Sequence, residues 1–284
     1  MYVYTWYQWL LFFYIYCFIG WVIESTYVSV RSFHFVNRGF LRLPLLPLYG
    51  SGAILMLWLC LPVKGNLLLV FLFGMAGASI LEYATGYVME RLFKMKYWDY
   101  TYKPFNINGY ICLGTSLAWG FLTLLLTEVV HRPLEWLVLP LSRTACITVV
   151  LLISVVFIID TIRSVKEALD LGRILESLTK IKAELEEVQV QIALLKAETT
   201  QKVSEFKTET LVKITNLKAE TTSVLKESAL AERLQSLTEN KEKLTKYLTF
   251  YRKGILRRNP TASSRLFGET LKELKEYSKK YKKS

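Results

Sequence analysis

Apolar positions run almost unbroken through five stretches of the first 160 residues, and nothing comparable follows them. The stretches extend from Val3 to Ile23, Leu45 to Leu61, Leu67 to Met89, Tyr110 to Val130, and Arg143 to Ile159. Crossing a hydrocarbon core of ~30 Å takes roughly 20 apolar residues in a helix, so each is a candidate span. The second is the weakest candidate, with Pro44 and Pro47 at its start, although proline is tolerated there because a first-turn N–H is unpaired anyway. The first has no basic leading segment and no small-residue cleavage site, so it reads as a retained span. Its early aromatics (Tyr2, Tyr4, Trp6, Tyr7 and Trp9) suit an interfacial belt.

Beyond Ile159 the periodicity changes. No Pro or Gly interrupts the chain before Leu171, so the fifth span is expected to continue as one helix. Ile174, Leu178, Ile181, Leu185, Val188, Ile192 and Leu195 step by four and three, a coiled-coil seam. An eleven-residue period follows, with Ile192, Val203, Ile214 and Leu225 in one row and Leu195, Phe206 and Leu217 in another. The hexapeptide LKAETT occurs at 195–200 and again at 217–222. Heptad spacing returns at Leu230, Leu234, Leu237, Leu244, Leu248, Tyr251 and Ile255, with Lys241 as the polar exception. This stalk either oligomerises the chain, the favoured reading, or folds back as a hairpin near Thr221–Ser228. Asn259-Pro260 breaks the pattern. Residues 269–283 then place Leu271, Leu274, Tyr277 and Tyr281 on one helical face with six lysines elsewhere, which suits anionic lipids.

The fold class expected is therefore an all-α membrane protein with a five-span domain at 1–160. A coiled-coil stalk at 161–258 follows, then a linker and basic amphipathic end at 259–284. The formal charge of +12 divides unevenly: residues 1–160 hold 10 Lys+Arg against 7 Asp+Glu, and the tail holds the remaining 26 and 17. Within the membrane half, Arg31, Arg38, Arg42, Arg91, Lys94, Lys96 and Lys103 fall in two loops on one side. By the positive-inside rule those loops and the tail are cytoplasmic, and the N-terminus lies outside the plasma membrane. The basic charge alone permits nucleic-acid binding, but no recognised fold supports that partner.

One polar pattern occurs twice. Glu24 is followed by Asn37-Arg38-Gly39, Pro47 and Tyr49-Gly50; Glu82 is followed by Trp98-Asp99, Pro104, Asn106 and Asn108-Gly109-Tyr110. Each glutamate precedes its glycine, Gly50 or Gly109, by 26 or 27 residues, and both copies run in the same direction. A carboxylate in a span is costly unless paired or hydrated, so it marks a functional site by default. Two such halves suggest a site between parallel repeats related by an axis along the membrane normal. Candidate binding residues are Glu24, Asn37, Arg38, Tyr49, Glu82, Trp98, Asp99, Asn106 and Asn108, forming a polar chamber on the cytoplasmic side. There Arg38 can clamp an anion and the carboxylates can take a cation or a proton. The competing structural reading pairs Glu24 with Arg38 and Asp99 with a loop lysine, and has the asparagines cap helices.

Metal and cofactor chemistry find no support. Cys17, Cys60, Cys112 and Cys146 form no C-x-x-C pair, and only His34 and His131 are present. No P-loop and no G-x-S-x-G elbow occurs, so an ATPase would have to be another chain.

The stretches FIGWVIEST (18–26), NRGFLRLPLLPLYGSGA (37–53) and WDYTYKPFNINGYICLGTSLAWG (98–120) resemble bacterial membrane proteins of the putative type IV ABC-transporter permease family. The resemblance covers roughly residues 12–160. It implies signature positions at Glu24, Asn37, Arg38, Gly39, Pro47, Tyr49 and Gly50, then Trp98, Asp99, Pro104, Asn106, Gly109 and Cys112. Leu43 departs from it, since similar proteins tend to have Gly there. A transport component is thus the leading expectation. A membrane enzyme acting on lipid head groups, with Glu82 or Asp99 as base, and a scaffold assembled by its stalk are the alternatives.

Overall fold

The computed structural model describes residues 4–206, 213–251 and 254–280, and among these it is helical, with only isolated bridges in place of strands. The helices are α1 (Trp6–Ser32), α2 (Pro47–Cys60), α3 (Leu67–Phe93), α4 (Leu113–Leu125), α5 (His131–Val138), α6 (Arg143–Phe206), α7 (Lys213–Tyr251), α8 (Ile255–Arg258) and α9 (Gly268–Lys280). Four stretches are long and apolar enough to cross a membrane: Trp6–Ser32, Leu67–Phe93, Leu113–Val138 and the start of α6. A helix satisfies its own backbone, which is what hydrocarbon requires. Large apolar side chains such as Ile80, Phe121 and Leu152 stand exposed on these helices, as a lipid-facing surface would have them.

The helix on the second run, Pro47–Val63, is shorter than the four long ones. Pro47 occupies the first turn of α2, and Pro62 turns its end into a 3-10 segment, Leu61–Val63, because proline cannot donate to the α-helical ladder. Between α4 and α5 lies a π-helical turn, Leu126–Val130, in which the His131 N–H reaches the Leu126 carbonyl. Pro133, just beyond, removes a donor from the same stretch, and a widened turn is a usual response to such a gap. The turn aims His131 inward, fully buried, with Nδ1 2.7 Å from the Tyr16 hydroxyl and Nε2 2.9 Å from that of Tyr4.

Contact between α1 and α2 depends on missing side chains. A Cβ on Gly20 would lie 2.3 Å from the Tyr49 Cβ, and one on Gly50 would lie 2.4 Å from Cys17 Sγ. Small residues let membrane helices approach closely, and here they bring Tyr49 against α1. Phe12, Cys17, Met56, Leu57, Ala78 and Trp119 belong to the core that results.

The chain divides into two compact units. The first comprises Met1–Gly172 with Tyr251–Gly268, and the second comprises Arg173–Phe250 with Glu269–Ser284. The segment read from sequence as a linker thus belongs to the first unit. Within it the Arg258 guanidinium is buried and donates to Glu167 Oε2 at 3.1 Å, while Glu167 Oε1 accepts the Ile255 N–H at 2.8 Å. Ser263 exchanges both backbone hydrogen bonds with Lys96.

In the second unit the seam from Ile174 to Leu195 is buried or half-buried while the positions between are mostly exposed. It packs within the chain: Glu184 of α6 pairs with Arg233 of α7 at 3.9 Å. Helix α7 continues unbroken through 221–228, where the alternative reading placed a fold-back; with no Pro or Gly between 213 and 251, the phase shift does not break it. Leu271 of α9 is buried, Thr270 meets Thr179 of α6 at 3.0 Å, and Glu273 pairs with Lys182. Part of the face expected to lie on lipid is therefore covered by protein. The side chains of Val203, Phe206, Ile214, Leu217, Leu248, Tyr251, Tyr277 and Tyr281 lie outside the described residues.

Candidate functional site

The loop from 33 to 46 is held by hydrogen bonds that arise from its own composition. Asn37 accepts from Trp21 Nε1 at 2.6 Å and donates to the Arg42 carbonyl at 2.9 Å. The buried carboxylate of Asp160 accepts the N–H groups of Arg42 and Leu43, both at 2.9 Å. Leu43, the departure from the family pattern, is thereby tied to α6. So fixed, the loop turns Arg38 inward: its side chain is only 11% exposed, with Nε 4.0 Å from Glu24. Its Nη1 donates to Asn259 Oδ1 at 3.0 Å and its Nη2 to the Tyr97 carbonyl at 3.1 Å. Burial lowers the guanidinium below its usual range, and the charge of Glu24 opposes that.

The second loop, from 94 to 112, is built around a buried lysine. Lys96 Nζ donates to the Asn108 carbonyl at 2.7 Å, lies 3.6 Å from Asp99, and sits 4.9 Å from the centre of the Tyr110 ring. Gly109, at φ +72°, passes so close that a Cβ would meet Asp99, Thr101 and the Lys96 ammonium within 2.7 Å. Asn106 bonds the Thr101 and Lys103 carbonyls and accepts the Gly109 N–H. Asn108 donates to the Tyr83 hydroxyl at 2.9 Å. Neither asparagine caps α4, whose N-cap is Cys112; both shape the loop. Asp99 accepts from Thr101 and, at 2.7 Å, from Ser263. Burial would raise its carboxyl, but those bonds and the charge of Lys96 prevail and hold it below the usual carboxylate range.

Between these loops and helices α1 to α4 lies a cavity of about 390 Å³. Of the expected residues it brings together Glu24, Arg38, Tyr49, Glu82 and Trp98. Asn37, Asp99, Asn106 and Asn108 do not line it; they brace its walls. Each glutamate receives a hydrogen bond from an aromatic residue on the following helix. The Tyr49 hydroxyl donates to Glu24 at 2.9 Å, and Trp119 Nε1 donates to Glu82 at 2.9 Å. Tyr110, which occupies the place of Tyr49 in the second copy of the sequence pattern, bonds Glu90 instead. Tyr100 is a second hydrogen-bond partner of Glu82.

Tyr97, Tyr100, Trp119 and Asn259 line the cavity without having been singled out. Tyr100 adjoins Asp99, so its neighbourhood was legible. Trp119 lies 37 residues beyond Glu82 and Asn259 lies 221 beyond Arg38, distances at which no local spacing speaks.

The family model described as Putative ABC-transporter type IV matches residues 11–165. No curated protein matches the chain, and no solved structure does. Every residue lining the cavity except Asn259 falls inside the matched stretch. With more than half its length so matched, the chain belongs to the putative type IV ABC-transporter family.

Proposed function

We propose that this chain is the membrane-embedded component of a transport system, with the cavity among α1 to α4 as its substrate site. The observation that carries the reading is Glu82: a carboxylate 5% exposed, midway along an apolar helix, at the wall of a chamber large enough for a small molecule. In the same reading the short α2 serves as a fifth span, giving two helix pairs and a final helix. The two loops and the tail then face the cytoplasm of a plasma-membrane protein, with the N-terminus outside. The absence of a P-loop from the sequence leaves energy to ions or to an ATPase in another chain.

The test compares membrane vesicles containing the wild-type chain or Glu82→Gln, each incubated with a small-molecule cell extract. Mass spectrometry of the vesicle contents should show at least one compound accumulated by wild type and not by the variant, with both proteins unfolding at similar temperatures. Identical accumulation profiles would remove the central carboxylate from the mechanism.

A further inference from the structure

We propose that the cavity takes an organic cation, an ammonium-type group on an apolar body, with Glu82 as its counter-charge. The proposal rests on the cavity being a ligand site and adds the class of ligand.

Charge is the first argument. The cavity wall holds two carboxylates, Glu24 and Glu82, against one guanidinium, Arg38. That guanidinium is already partly committed. Nη1 donates to Asn259 and Nη2 to the Tyr97 carbonyl, and Nε lies 4.0 Å from Glu24, so two of its donors are engaged and its charge is shared with a carboxylate. An anionic ligand would compete with Glu24 for its charge.

Glu82 is the opposite case. Its hydrogen-bond donors, Trp119 and Tyr100, are neutral, and no cation lies within ion-pair distance among the described residues. A carboxylate removed from water and met only by neutral donors keeps most of its attraction for a positive charge. The surplus negative charge of the cavity is therefore concentrated at Glu82.

The walls then discriminate among cations. A dehydrated metal ion needs about six oxygen ligands, and the aromatic and aliphatic surfaces around Glu82 do not supply that shell. Among the described residues, no group of His, Cys, Asp and Glu could hold one. Indole and phenol faces do attract organic cations. The Trp119 ring lies 5.3 Å from that of Tyr49, and Trp98 is fixed by donating to the Tyr110 carbonyl at 2.9 Å. Leu46, Met89 and Leu122 complete a wall suited to the apolar body.

Tetraphenylphosphonium and tetraphenylborate have nearly the same shape and opposite charge. Equilibrium binding of each to the purified full-length chain in uncharged lipid nanodiscs tests the proposal directly. Saturable binding of the phosphonium is expected, weakened by about tenfold or more in Glu82→Gln and undiminished in Glu128→Gln, which neutralises an exposed carboxylate outside the cavity. The proposal is overturned if neither ion binds saturably, if the borate binds wild type as tightly, or if Glu82→Gln leaves phosphonium binding unchanged. Borate binding that requires Arg38 would replace the ligand class while leaving the cavity as a transport site. Loss of the vesicle-accumulation difference would instead remove transport without touching the binding result.

Discussion

At the scale of single residues, the first unit contains two carboxylates with contrasting surroundings. Glu167 is buried and saturated: Arg258 and Arg42 approach one oxygen, and the Ile255 N–H binds the other. Glu82 is buried and, among the described residues, met by neutral donors alone. The difference separates a structural group from a ligand-facing one, because a paired buried charge has little left to offer an incoming ion. Removing one partner of a buried pair strands the other. Arg258→Ala should therefore lower the unfolding free energy by about 3–5 kcal/mol, read by chemical denaturation in mild detergent. An Arg258→Ala, Glu167→Gln double variant should recover part of that loss. If the single variant is as stable as wild type, the pair is not holding the 255–258 helix in place.

Among elements, the decisive contact is α1 against α2. Tyr49 reaches Glu24 only because Gly20 and Gly50 let the two backbones approach. At Gly50 the crowding atoms include a backbone carbonyl, that of Phe13, 2.7 Å from where an added Cβ would lie, so side-chain rotation cannot relieve it. Overpacking of this kind costs about 1–3 kcal/mol. Gly50→Ala is expected to lower the melting temperature clearly, whereas Gly65→Ala, with open space around it, should not. Equal melting temperatures for the two variants would contradict the close approach. The other elements follow from their punctuation. Pro47 and Pro62 bound α2, Pro133 accompanies the π turn, and the long α6 has neither Pro nor, before Gly172, any Gly.

For the whole molecule, the unexpected feature is the return of residues 254–268 to the first unit. Ser263 exchanges hydrogen bonds with Lys96 and donates to Asp99, 164 residues earlier. Because the Asp99 carboxyl is held below its unfolded value, its contribution is complete above the unfolded carboxyl pKa of about 3.9 and disappears as pH falls through the lower folded value. The stability gap between wild type and Asp99→Asn should thus be widest near neutrality and close with acidification below about pH 4. A gap that stays constant across that range would mean that the ionised carboxylate is not what secures the segment.

Much of this architecture is readable in the chain itself. Apolar runs, prolines and the absence of helix breakers determine where helices start and stop, because in hydrocarbon a helix is the local solution to unsatisfied backbone groups. The seam from Ile174 to Leu195 likewise announced its buried face. Glu24, Arg38, Tyr49, Glu82 and Trp98 stood out by being polar or aromatic where membrane segments meet loops, and the cavity gathers all five. Tertiary structure alone decided their partners. Trp119 finds Glu82, Asn259 finds Arg38, and Asn106 and Asn108 turn away to build a loop. Local pattern reports the cost of burying a polar group at one position. Which distant donor offsets that cost depends on how the helices and the returning segment meet in space.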